Sequence, residues 1–240
     1  MARSALLAGL GALALASIAL AGCASSTSGS PSEEPTQPVA ADPDLGAAWL
    51  DNGRVIGLVT VGSSTCVPQA ESADVSEDGV LQVTLAAPEE DEACTADLVP
   101  RVTLVGVPED VDPEEDLSIE VTGDNQQGQV DLAAVAGLAP GGETDFQPSA
   151  GWATAAGQFV ILTWGSSTCV PVIEDVAATA PAEVTVTFQT PPDDQACTMD
   201  MAPRGQVAAV NDLEEDSDVE LILTGGEFDD VKVPIYGTNS

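Results

Sequence analysis

Apolar side chains recur at every second position in several short stretches, among them Leu81, Val83 and Leu85, and later Val184, Val186 and Phe188. A two-residue period puts one set of side chains on one face of a sheet, so these stretches are expected strands. Residues 54–61 and 158–164 are apolar almost throughout, which suits strands covered on both faces. Leu117, Ile119 and Val121 alternate in the same way, as do Val219, Leu221 and Leu223, and further strands are expected near 129–132 and 231–236. Acidic, turn-rich stretches such as 108–116 and 191–195 separate them. No long amphipathic helical pattern is present.

The pattern is duplicated. At an offset of 103 positions Gly62-Ser63-Ser64-Thr65-Cys66-Val67-Pro68 falls on Gly165-Ser166-Ser167-Thr168-Cys169-Val170-Pro171. The same offset aligns Trp49 with Trp152, Cys94-Thr95 with Cys197-Thr198, Asp97 with Asp200, and Pro100-Arg101 with Pro203-Arg204. The later strands align at an offset of 102, one residue having been lost from the acidic loop between. Duplication of one domain explains this, with the boundary inside 124–150, where Gly141-Gly142 and Pro148 lie. The expected fold is all-β: two tandem small β-sandwich repeats, immunoglobulin-like by architectural analogy, over residues 47–140 and 149–240.

Ahead of the repeats, Arg3 precedes an apolar run over 5–21 that is rich in Ala and Leu and ends in Leu20-Ala21-Gly22-Cys23. Small residues and short length fit a secretion signal better than a transmembrane helix. Leu20 to Cys23 resembles the bacterial lipobox, which implies cleavage after residue 22 and diacylglycerol on the Cys23 thiol, a palmitate-type membrane anchor. No twin-arginine pair precedes the run, so export by the general secretory route is expected. Residues 24–46 are rich in Ser, Thr, Pro, Gly and acids with hardly any large apolar side chain, too little to offset the entropy of ordering, and are expected to form a disordered tether behind the lipidated cysteine.

Charge narrows the partners. Five Lys and Arg face 40 Asp and Glu, a net charge of −35, and histidine is absent. A chain with so few cations gains nothing from phosphates or anionic headgroups, so nucleic acid is excluded and the lipid anchor is the expected route to the membrane. Without histidine there is no Ser-His-Asp or Cys-His nucleophile and no imidazole metal site. Ser63-Ser64 and Ser166-Ser167 lack a base and are expected to bond local backbone. Acidic clusters at 89–92, 109–116, 193–194 and 214–218 match no calcium loop and read as solvated faces, with calcium the weaker alternative. No cofactor or metal is expected.

Apart from Cys23 four cysteines remain, Cys66 with Cys94 and Cys169 with Cys197, 28 positions apart in each copy. Equal spacing in an exported chain indicates one structural disulfide per repeat; of the three pairings, this one keeps each repeat self-contained. Trp49, Trp152 and Trp164 are expected in the core, shielding the staples. Arg101 and Arg204 stand four residues after Asp97 and Asp200, and structural ion pairs Asp97 with Arg101 and Asp200 with Arg204 are expected. The strings Trp164-Gly165-Ser166-Ser167-Thr168-Cys169 and Cys94-Thr95-Ala96-Asp97-Leu98-Val99-Pro100 resemble those of a group of uncharacterised actinobacterial secreted lipoproteins. The first copy departs in having Val61 where the second has Trp164. The resemblance implies envelope location and fold, and carries no activity.

The expectation is therefore a lipid-anchored protein on the outer face of the cytoplasmic membrane, a non-catalytic module that binds an envelope protein or a small ligand. A carboxylate-dependent envelope hydrolase and a calcium-responsive adhesion or spacing module are the alternatives.

Overall fold

The computed structural model describes residues 44–89, 92–214 and 217–239; the expected signal segment, Cys23 and most of the expected tether lie outside them. The tether was expected to run through residue 46, yet Leu45 is already buried and Gly46 opens the first strand. An apolar side chain there finds the core, so ordered chain begins earlier than composition indicated.

The first repeat builds a sheet ordered β1-β2-β5 from β1 (Gly46–Leu50), β2 (Val55–Gly62) and β5 (Val99–Gly106). A second sheet, ordered β3-β4-β6-β7, uses β3 (Ala70–Val75), β4 (Leu81–Leu85), β6 (Leu117–Gly123) and β7 (Gln126–Leu132). Alternation places Leu81, Val83 and Leu85 of β4 and Ile119 and Val121 of β6 in one buried cluster with Trp49, Ile56, Leu58 and Val105 from the other sheet. Asp124 and Asn125, both at positive φ (46° and 59°), make the two-residue turn between β6 and β7, where Asp and Asn tolerate the left-handed backbone best.

The second repeat follows the same course with β8 (Ser149–Trp152), β9 (Gln158–Gly165), β10 (Ile173–Ala180), β11 (Glu183–Phe188), β12 (Ala202–Ala209), β13 (Glu220–Gly225) and β14 (Phe228–Tyr236). Its strands form one seven-stranded sheet, because the end of β14 pairs with β8 through Ile235 to Ala150 and Tyr236 to Gly151. The corresponding β7 and β1 form no ladder. The all-β class is as the alternation indicated. The immunoglobulin analogy fails in the pairing: β4 with β6, and β11 with β13, run parallel, whereas that fold is antiparallel.

Why β2 and β9 are apolar throughout becomes plain from their two faces. Ile56 and Leu58 face one core and Phe159 and Ile161 the other, while Val59, Val160 and Leu162 join Ala48 and Leu50 in a third cluster shared by the repeats. Three contacts in this seam link positions 103 apart. A Cβ on Gly57 would meet Val160 Cγ1 at 2.9 Å, one on Gly205 would meet Val102 Cγ1 at 2.8 Å, and one on Gly151 would touch Ala48 Cβ at 3.2 Å and overlap the Trp49 carbonyl. Contact between equivalent residues is what a two-fold axis produces. The seam thus has the character of an intramolecular dimer interface, with one glycine in each pair making room for its counterpart.

Candidate functional site

Each repeat carries its motif residues at the end of β2 or β9. There the Ser-Ser-Thr-Cys loop is stapled to the segment leading into β5 or β12 by Cys66–Cys94 or Cys169–Cys197, each with a Cα–Cα distance of 5.5 Å. Two such bonds indicate folding in an oxidising, extracytoplasmic compartment. Among the described residues no helix is long and apolar enough to cross a membrane.

The hydroxyls form a cage across the staple. Ser63 Oγ lies 2.8 Å from Thr95 Oγ1, the Thr95 amide donates to Thr65 Oγ1 at 3.1 Å, and Asp97 Oδ1 accepts from the Ser64 amide at 3.2 Å and from the Thr95 hydroxyl. The second repeat reproduces it: Ser166 to Thr198 at 2.8 Å, Thr198 amide to Thr168 at 3.1 Å, Ser167 amide to Asp200 at 3.2 Å, and the Thr198 hydroxyl to Asp200. The threonine hydroxyl, then the neighbouring serine, hold both carboxyls down at about 2. A carboxylate this acidic is a poor proton acceptor near neutral pH, so neither aspartate serves as a base for the serine beside it.

The arginines do not pair as the spacing indicated. Arg101 bonds Asp124, and Arg204 bonds Glu227; Asp97 and Asp200 are held instead by the cage. The physical reason is extension: Arg101 and Arg204 lie within β5 and β12, and roughly 3.3 Å per residue carries each away from the aspartate four positions earlier. The guanidinium folds back beneath the loop. A Cβ on Gly62 would overlap Arg101 Cζ, and one on Gly165 would meet Arg204 Nη1 at 2.7 Å, so the glycine opening each motif is needed for the guanidinium to lie against the backbone.

In the first cradle every arm is occupied. Arg101 donates from Nε to Thr60 Oγ1 at 3.2 Å, from Nη1 to the Cys66 carbonyl, and from Nη2 to Asp124, which is itself buried. In the second, Nη1 donates to the Cys169 carbonyl at 3.1 Å and Nη2 to the Trp164 carbonyl at 2.9 Å and to Glu227. Nε is buried with no partner, and Glu227 is 51% exposed. Thr163, the counterpart of Thr60, donates to the Arg204 carbonyl at 3.4 Å instead.

A groove of about 620 Å³ lies beside the first staple and one of about 500 Å³ beside the second, floored by matching residues: Val67 and Pro68 against Val170 and Pro171, and Pro88 against Pro191. The second reaches on to Arg204 and Glu227. Trp49 and Trp152 are buried in their own repeats, in clusters that contain no cysteine, while Trp164 is half-buried in the seam, edge-on to Phe146 at 5.2 Å. The acidic loop 108–116 uses its charge locally: Glu114 accepts from the Gly137 amide at 2.8 Å and Asp116 from the Ala134 amide at 2.9 Å. Among the described residues no group of three or more potential ligands gathers to hold a metal ion. Sequence reading missed Asp124 and Glu227, although both lie 23 positions after their arginine. It also missed Arg54, which clasps the buried Asp51 through two bonds of 3.0 Å. No protein-family model, curated protein or solved structure matches the chain.

Proposed function

We propose that this chain is a lipid-anchored envelope protein whose two repeats, each read as a small β-sandwich, serve as a non-catalytic binding or interaction module. The observation that carries the non-catalytic reading is the cage built twice around the staple: its carboxylate is held at about 2 and its hydroxyls are engaged by one another and by that weakly basic carboxylate, so neither acts as base or nucleophile. The anchor rests on Cys23 at the end of its apolar run. With four cations against 40 acids beyond that run, an acyl anchor is the available route to an anionic membrane. Replacing Cys23 with Ser should move the protein from the membrane fraction to the medium. Retention of the Cys23→Ser variant on membranes would overturn the anchor. Crosslinking in intact cells followed by mass spectrometry should recover the same neighbours repeatedly; recovering none would overturn the binding reading.

A further inference from the structure

Resting on the binding-module reading, we propose that the groove of the second repeat is the binding site and that it takes an extended polypeptide segment with apolar side chains flanked by Lys or Arg. The floor is apolar: Val170, Pro171, Val172, Pro191 and Pro192 beside the Cys169–Cys197 staple, around about 500 Å³. Val172 is exposed on that floor, and Met199 and Met201, on the loop just beyond the groove residue Cys197, are exposed as well. Unbranched methionine adapts to varied apolar partners, and adjoining exposed apolar side chains mark an interaction surface. The first repeat has Ala96 where the second has Met199, and Gln69 where the second has Val172.

Two observations narrow the occupant. Arg204 lines the groove with its side chain buried, yet its Nε has no acceptor and its acidic partner is half exposed. The side-chain amides of Gln189 and Gln195 in the same wall supply donors for the carbonyls of a peptide backbone. The rim is acidic: Asp193 and Asp194 are exposed between the groove residues Pro192 and Gln195, and Glu174 and Asp175 follow Val172. Every cation among the described residues is already in an ion pair, so the field over the groove is negative and attracts basic flanks.

The full-length chain in detergent, with ¹³C-labelled methionine methyls, provides the test, since Met199 and Met201 both report from the loop. The probe is a short peptide with a Leu-Pro-Val-Leu centre and paired lysines at each end. Both methyl signals should shift saturably, and glutamates in place of the lysines should weaken binding at least about tenfold. Met199→Gln with Met201→Gln should cost a similar factor at unchanged Tm, while Leu98→Gln in the first repeat should leave affinity alone. Equal binding of the acidic peptide, no saturable shift, or loss on Leu98→Gln would overturn the proposal. Shifts that follow protein concentration without peptide would also overturn it and assign the face to a second copy. If the peptide fails while crosslinking in cells recovers the same neighbours with and without the methionine substitutions, the groove falls and the binding module stands; if crosslinking recovers nothing either, both fall.

Discussion

The two arginine cradles differ in one turn position, one methylene and the partner of one threonine. By the strand registers, Asp124 is the first residue of the β6–β7 turn and Glu227 the second residue of the β13–β14 turn. The shorter side chain is buried with its arginine, whereas the longer one leans half into solvent; Nε of Arg204 is bare because Thr163, unlike Thr60, bonds the arginine's carbonyl instead of accepting from Nε. The same divergence marks the far end of each repeat. Trp49 donates its indole N–H to the Ala133 carbonyl at 3.0 Å, while its counterpart Trp152 has no acceptor and the strands there are joined by the β14–β8 ladder. The first copy has closed its polar groups inward and the second has left donors free. Duplication lets one copy keep a set of contacts that the other has given up.

The largest expected effect breaks the contact between the copies. Gly151 lies against Trp49 backbone, so Gly151→Val forces main chain to move and should cost on the order of 3 kcal/mol or more. Gly205→Ala meets the side chains of Val102 and Leu104, which can adjust, and should cost less. Denaturant titration ranks the two; equal and small losses would mean that the seam is not packed.

The cradle itself is comparable in size. Asp124→Ala leaves a buried guanidinium with no route for water to replace its buried acid and should cost about 3 to 5 kcal/mol, while Glu227→Ala removes an acid already half in solvent, whose place water can take, and should cost less. A double-mutant cycle on Asp97 and Arg101 should show coupling near zero. Comparable losses for Asp124→Ala and Glu227→Ala would erase the distinction between closed and open cradles. Smaller again, Trp49→Phe should be worse than Trp152→Phe by about 1 kcal/mol, because only the first gives up a hydrogen bond. Thermal unfolding of the pair reads that gap, and equal losses would show that the indole bond contributes nothing.

What the sequence made legible follows from which signals are local. Alternation at Leu81, Val83 and Leu85 marks β4, and equal cysteine spacing gives the staples. β3 and β10 are sheet edges rich in Glu, Asp and Ala; edges exclude stray pairing with charge, which erases the apolar period. β5 and β12 carry Pro and Arg as their second and third residues, and a strand that opens on a proline and a cation lacks the apolar start that would mark it. The ion pairs were misread because the nearest acid in sequence was favoured over one that a hairpin brings back. The seam was hidden for another reason: continuous apolar runs in β2 and β9 show that both faces are covered, but only the fold shows that each covers the other.

The smallest expected difference is none, and it is the control for all the others. The two cages agree in every bond quoted for both, including 2.8 Å between the serine and threonine hydroxyls and 3.2 Å to the aspartate. Asp97→Asn and Asp200→Asn should therefore lower Tm equally. Both carboxyls are held at about 2 against an ordinary 3.8, so each is ionised in the folded cage at pH values where the unfolded chain has begun to take up a proton. Depressed pKa values stabilise the fold above the ordinary value, and that contribution is lost as pH falls through about 2. Other acids titrate over the same range, and their protonation relieves the repulsion of a chain at −35, so the absolute acid limb is mixed. The difference between wild type and each variant is not: it should be constant from neutral pH to about 4, shrink between about 4 and 2, and vanish below. A gap that persists below pH 2 would assign the effect to shape rather than charge, and a larger gap at Asp200 than at Asp97 would show that divergence of the second repeat has reached the cage.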